Sequence, residues 1–124
     1  MDKRVVITGL GAITPIGKNV EETWNSIKEK KCGIDEITLF NTENFKTKLA
    51  AEVKEYNPLE HFEAKQAKRL DRYSQFAMIA AREAVKSSEI SKENTDFNKV
   101  GIFVSSGIGG LTTIQEQCRI DNEK

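Results

Sequence analysis

Apolar and polar positions fall along the chain in blocks that predict strands and helices in turn. Residues 4–8 are β-branched and nearly all apolar before the run ends at Gly9, which is typical of a strand buried on both faces of a parallel sheet. Asn19, with Glu22 three residues later, predicts the start of a helix that Gly33 ends. The chain is therefore predicted to open with a strand, a turn and a helix.

The middle and the end of the chain repeat this alternation. Residues 49–53 indicate a short strand, and residues 69–87 place apolar side chains and alanines at helical spacing, which predicts the longest helix. Residues 100–104 predict a second buried strand, and a further helix begins after it at Leu111. Strands that alternate with helices predict an α/β layer with parallel pairing and right-handed crossovers.

Charge and cysteine content exclude several classes of protein. The 124 residues carry 19 basic and 19 acidic side chains, which argues against nucleic acid or an anionic membrane as the main partner. Cys32 and Cys118 lie far apart with no metal ligand at suitable spacing, so we expect neither a zinc site nor a disulfide. The first apolar run is too short for a signal peptide or a membrane span, and we expect a cytoplasmic protein without membrane insertion.

Two glycine-rich turns follow predicted strands. Residues 9–11 suggest a dinucleotide-binding turn, but Thr14 stands in the place of the third glycine and the helix begins only near Val20. A structural turn is therefore the favoured interpretation. Residues 107–110, Gly-Ile-Gly-Gly, would let the backbone approach a ligand, or they form a tight strand-to-helix turn.

A cluster of basic residues precedes the longest predicted helix. Lys65, Lys68, Arg69 and Arg72 would line one face of a helix that runs through all of them, with Asp71 nearby to offset their charge. Such a face is either solvated surface or the docking site of an acidic partner.

The histidine, cysteine and acidic residues of the chain do not form a recognisable catalytic set. His61 is the single histidine and is expected at the surface or at a helix start. Cys32 lies at a predicted helix end, where the dipole disfavours a thiolate, and Cys118 falls on an apolar helical position where it is expected to pack. We find no paired carboxylates, no Ser/His/Asp set and no metal cluster, so we predict no catalytic residue here.

Four segments taken together resemble the β-ketoacyl-acyl carrier protein synthases, most closely the type II elongation enzymes. In chain order they are Arg4-Val5-Val6-Ile7-Thr8-Gly9-Leu10-Gly11 with Thr14-Pro15-Ile16-Gly17, Thr23-Trp24 with Gly33-Ile34, Lys68-Arg69-Leu70-Asp71-Arg72-Tyr73-Ser74-Gln75, and Val100-Gly101 with Ser106-Gly107-Ile108-Gly109-Gly110. Leu70 and Tyr73 stand where the family often has methionine and phenylalanine, which leaves the subclass open.

The resemblance implies a fold and an activity. The fold would be the α/β thiolase-like fold, with residues 1–124 forming the amino-terminal part of its first half, a mixed sheet with packed helices, in a homodimer. The activity would be decarboxylative Claisen condensation of an acyl thioester with malonyl-acyl carrier protein, without a cofactor. The family's catalytic cysteine, histidines and lysine would follow Lys124, and the chain alone would be inactive.

The resemblance also implies roles for residues that are present. Ile108, between Gly107 and Gly109, corresponds to the isoleucine that lines the family's acyl pocket. The basic cluster corresponds to the surface that faces the acyl carrier protein, through Lys65, Lys68 and Arg69. Three alternatives stay open: a polyketide-type chain-length factor, a non-catalytic carrier-protein-binding or dimerisation module, and a nucleotide-dependent oxidoreductase.

Overall fold

The computed structural model describes residues 4–123. In chain order the helices and strands are α1 Val20–Lys28, β1 Ile34–Glu36, β2 Leu49–Ala51, α2 Ala64–Ala67, α3 Arg72–Ser88 and α4 Leu111–Asn122, with 3₁₀ turns at Pro58–Glu60 and Phe97–Lys99. The described residues up to Tyr56, together with Ile79–Glu89, form one unit, and Asn57–Met78 with the described residues from Ile90 form the other. Ile79 is buried in the first unit and Phe62 in the second.

Helix α1 begins as its capping pattern predicts. Asn19 is extended, and its side-chain oxygen accepts a hydrogen bond from the backbone N–H of Glu22 at 2.8 Å. The Glu22 carboxylate in turn accepts from the backbone N–H of Lys18 at 2.8 Å. The first bond satisfies a donor that the helix leaves free at its first turn, and the second pairs the N–H of the residue before the N-cap.

The end of α1 differs from the prediction. The helix ends at Lys28, before Gly33, because Lys30 adopts a left-handed backbone with φ of 57°. The backbone N–H groups of Lys30 and Lys31 donate to the carbonyls of Ile27 and Ser26 at 3.0 and 2.9 Å. This Schellman pattern normally uses glycine, and a lysine in that position gives no signal in the sequence.

The strands β1 and β2 pair antiparallel, with Asp35 opposite Ala50. The predicted parallel pairing is therefore wrong within residues 4–123, and the predicted strand at 49–53 is shorter than expected. A hydrogen bond of 2.5 Å from the Lys54 ammonium, supported by the backbone N–H of Glu36, holds the pKa of Asp35 below its usual range.

The two predicted buried strands, 4–8 and 100–104, are not strands in the described part of the chain. Val5 is 91% exposed and Phe103 is 97% exposed. Both predictions are wrong because a strand exists only where a neighbouring backbone completes its ladder, and neither segment has such a partner among the described residues.

The longest helix is confirmed, although α3 begins at Arg72 and residues 68–71 separate it from α2. The buried Gln75 side chain stabilises this interruption, because its amide donates to the carbonyls of Ala67 at 2.9 Å and Leu70 at 2.8 Å. These carbonyls would otherwise lack partners where the helical pattern breaks.

Candidate functional site

The second glycine-rich turn lies directly before α4. Gly109 has a φ of 82°, a conformation that side-chain-bearing residues rarely adopt, and its N–H donates to the Ser106 hydroxyl at 3.0 Å. A Cβ at Gly107 would have no atom within 4 Å, so only Gly109 requires glycine for its conformation. Ile108 is 73% exposed, and the described residues do not enclose its side chain in a pocket.

Asp71 connects this turn to the start of α3. The Thr113 hydroxyl on α4 donates to the Asp71 carboxylate. A Cβ at Gly110 would overlap the same carboxylate, so glycine there allows Asp71 to approach. Gly110 is the N-cap of α4 and has no side chain to cap it, and the helix dipole favours a carboxylate at this end.

The basic residues do not share one helical face. Lys65 lies in α2, Lys68 caps its carboxyl end, and Arg69 lies in the interruption before Arg72 begins α3. The predicted stripe is therefore wrong, because residues 68–71 do not continue the helix. The Arg72 guanidinium lies 5.2 Å from the ring centre of Phe76, a distance that suits a cation–π contact.

Lys65, Lys68 and Arg69 are all exposed. Lys65 and Arg69 line one shallow surface cavity of about 510 Å³, together with Glu63, Gln66 and Leu70. Lys68 is not part of its lining. The structure thus brings two of the three predicted docking residues to a common depression.

The first glycine-rich turn packs on α3. A Cβ at Gly11 would lie 2.9 Å from the backbone nitrogen of Ala84 and closer still to the carbonyl group of Ala80. The Glu83 carboxylate accepts from the backbone N–H of Ala12 and of Val20, each at 2.9 Å. Packing on α3 therefore explains the glycine at position 11. The Glu83 carboxylate occupies the amino terminus of α1, where a pyrophosphate would have to bind.

The described residues hold no group of three or more His, Cys, Asp or Glu side chains that could bind a metal ion. Cys118 is exposed on α4, so the prediction that it packs is wrong, because the face of α4 that carries it is uncovered among residues 4–123. His61 follows the 3₁₀ turn Pro58–Glu60 and is partly buried rather than beginning a helix. No helix in the described range is long and apolar enough to cross a membrane.

Comparison with protein families gives a match over nearly the whole chain. The family model of the β-ketoacyl synthase N-terminal domain matches residues 2–124. This chain belongs to the β-ketoacyl synthase family. The resemblance stated from the four sequence segments is thereby confirmed.

Two curated relatives of this ketoacyl synthase chain carry the same name. It is 43% identical over 114 residues to 3-oxoacyl-(acyl-carrier-protein) synthase 2 of Staphylococcus aureus, covering 92% of this chain and 28% of the relative. It is 36% identical over 115 residues to the synthase of the same name from Synechocystis sp., covering 93% of this chain and 28% of the relative. The chain thus spans less than a third of the length of these relatives.

Solved structures agree with the fold class. The ishigamide ketosynthase/chain length factor matches with a TM-score of 0.68 and 27% identity, over 94% of this chain and 30% of that one. A type II polyketide ketosynthase in complex with its acyl-carrier protein matches with a TM-score of 0.73 and 24% identity, over 97% of this chain and 32% of that one. The chain therefore has the partial α/β, thiolase-like fold that the resemblance implied.

Proposed function

We propose that this protein is a 3-oxoacyl-(acyl-carrier-protein) synthase of fatty-acid synthesis, which joins an acyl thioester to malonyl-acyl carrier protein with loss of carbon dioxide. The observation that supports this most strongly is 43% identity to the S. aureus synthase 2 over 92% of the chain. We further propose a cytoplasmic homodimer that needs no cofactor. No catalytic role is assigned to residues 4–123.

Ile108 is proposed to line the acyl pocket. Its side chain is exposed on a turn whose backbone is held by the left-handed Gly109 and by the Ser106 hydroxyl. A branched apolar side chain on this turn can bury its surface against an acyl chain, and its bulk then limits the space for that chain. Gly107, which has open space around its α-carbon, leaves room for close approach.

Lys65, Lys68 and Arg69 are proposed to dock the acyl carrier protein that bears the phosphopantetheine thioester. All three side chains are exposed, and no ion pair of the described residues uses them. An acidic partner would relieve the repulsion between these cations and steer the encounter.

The condensation reaction tests the proposed function directly. The complete gene product is incubated with acyl-carrier protein and malonyl-carrier protein, and the released carbon dioxide and the 3-oxoacyl product are measured together. We expect stoichiometric formation of both. Absence of product with all substrates loaded would contradict the proposal and favour a chain-length-factor role, since the ishigamide structure contains a ketosynthase and a chain length factor.

Charge reversal tests the docking surface. We expect Lys68→Glu combined with Arg69→Glu to weaken carrier-protein binding about tenfold at low ionic strength, because two attractive pairs become repulsive. The dissociation constant is measured by fluorescence anisotropy with labelled holo-carrier protein. Lys46→Glu combined with Lys92→Glu changes the net charge equally at exposed sites outside the cluster. Equal affinities of the two double variants would contradict the docking proposal.

A further inference from the structure

A continuous series of contacts runs from the basic residues to the glycine-rich turn within one unit. The Gln75 amide holds the carbonyls of Ala67 and Leu70, which lie on either side of Lys68 and Arg69. The backbone N–H of Gln75 also donates to the carbonyl of Asp71 at 3.0 Å. The backbone of residues 67–71 is therefore fixed to the first turn of α3.

The side chain of Asp71 extends these contacts to α4. Its carboxylate accepts the hydrogen bond of the Thr113 hydroxyl and lies against the α-carbon of Gly110. Thr113 is in the first turn of α4, and Gly110 is the last residue of the turn that carries Ile108. One side chain thus contacts both ends of the junction between turn and helix.

The contacts of Asp71 with Thr113 and Gly110 favour one defined position of the turn. A hydrogen bond to an ionised carboxylate is stronger than one between neutral groups, and the α4 dipole adds attraction at the same place. Gly110 contributes no capping side chain, and the Asp71 carboxylate lies beside it and accepts from the Thr113 hydroxyl of the same first turn. Tyr73 borders the turn as well, with its ring 3.9 Å from the position of a Cβ at Gly109.

We propose that Asp71 and Thr113 are positioning residues that fix the turn of residues 107–110 relative to the segment bearing Lys68 and Arg69. The functional consequence rests on the proposed function: the contact between Asp71 and Thr113 sets the acyl-chain-length preference through Ile108. A partner that binds the basic segment then acts on the turn through Asp71. Neither residue takes part in the chemistry of condensation.

The test compares single hydroxyl and methyl changes on α4 in the complete gene product. Thr113→Val removes the hydroxyl at nearly constant shape, Thr113→Ser retains it, and Thr112→Val makes the same change at an exposed neighbour whose side chain has no hydrogen bond in the described structure. Backbone amide exchange of residues 107–113 is measured by mass spectrometry or NMR. The ratio of kcat/KM for long and short acyl-carrier proteins is measured on the same variants.

We expect Thr113→Val to raise amide exchange in the turn roughly tenfold and to shift the chain-length ratio about fivefold, as loss of one charge-assisted hydrogen bond predicts. Thr113→Ser restores both values, and Thr112→Val leaves both unchanged. Gly110→Ala, whose methyl group would displace the Asp71 carboxylate, reproduces the effect of Thr113→Val by an independent route.

Each result decides one part of the inference. Equal exchange in Thr113→Val and Thr112→Val would overturn the positioning role. Faster exchange with an unchanged chain-length ratio would overturn the link to specificity. A wild-type protein that makes no condensation product would overturn the proposed function, while the exchange comparison would still decide whether Asp71 and Thr113 position the turn.

Discussion

Replacing Gly11 with alanine is expected to lower the free energy of unfolding by about 3 kcal/mol, because the added methyl group collides with backbone. A Cβ at this position would lie 2.7 Å from the carbonyl carbon of Ala80 and 2.9 Å from the nitrogen of Ala84. Both atoms belong to α3, whose hydrogen-bonded backbone cannot yield as a flexible side chain can. Urea unfolding followed by Trp24 fluorescence measures the loss.

Gly107→Ala is the matched control for this prediction. Its methyl group meets no atom within 4 Å, and its backbone does not require glycine, so we expect a change within about 0.5 kcal/mol. Unfolding curves for Gly11→Ala that coincide with those for Gly107→Ala would show that the turn of residues 9–11 is not packed on α3 as described.

The helices could be predicted from sequence because their signals are local. The Asn19 cap and its partner Glu22 are three residues apart, and the start of α4 at Leu111 follows a glycine-rich turn. Local signals did not predict where α1 ends or where the longest predicted helix is interrupted. Lys30 in a left-handed backbone ended α1, and the interruption at residues 68–71 depends on Gln75, a polar side chain within the following helix.

The strands could not be predicted because strand formation depends on a second segment of backbone. Residues 4–8 and 100–104 have the composition of buried strands, but composition records a tendency to be covered and does not specify the partner. Conversely, β1 and β2 pair through Ile34–Glu36 and Leu49–Ala51, and β1 has the two acidic residues that strand propensity disfavours. Pairing between segments therefore overrode local preference in both directions.

Some features of the candidate site could be predicted from the sequence and others could not. The glycine-rich turn of residues 107–110 and the basic cluster are visible in sequence, since each is a contiguous or closely spaced motif. Asp71 and Thr113 lie 42 positions apart, and Glu83 lies 71 positions from Ala12, so no spacing rule connects them. In the sequence, Asp71 is visible only as a charge that offsets its basic neighbours.

Replacing Glu83 with alanine is expected to lower the free energy of unfolding by about 2 kcal/mol, because two backbone donors lose an ionised acceptor. Its two carboxylate oxygens accept from the N–H groups of Ala12 and Val20 at 2.9 Å, so one side chain holds both the glycine-rich turn and the start of α1 on α3. Val20 is the first residue of α1, where the helix dipole adds to the attraction. Thermal and urea unfolding measure the effect.

Two further variants separate the hydrogen bonds from the charge. Glu21→Ala removes an exposed carboxylate from the first turn of α1 that makes no hydrogen bond in the described structure, so we expect a loss of at most about 0.5 kcal/mol from the dipole alone. Glu83→Gln keeps one acceptor oxygen but presents an amide donor to the other N–H group, so we expect a loss between those of Glu21→Ala and Glu83→Ala. If Glu83→Ala were no less stable than Glu21→Ala, the bridge from Glu83 to the turn and to α1 would contribute only its charge, and the packing of Gly11 on α3 would have to position both segments by itself.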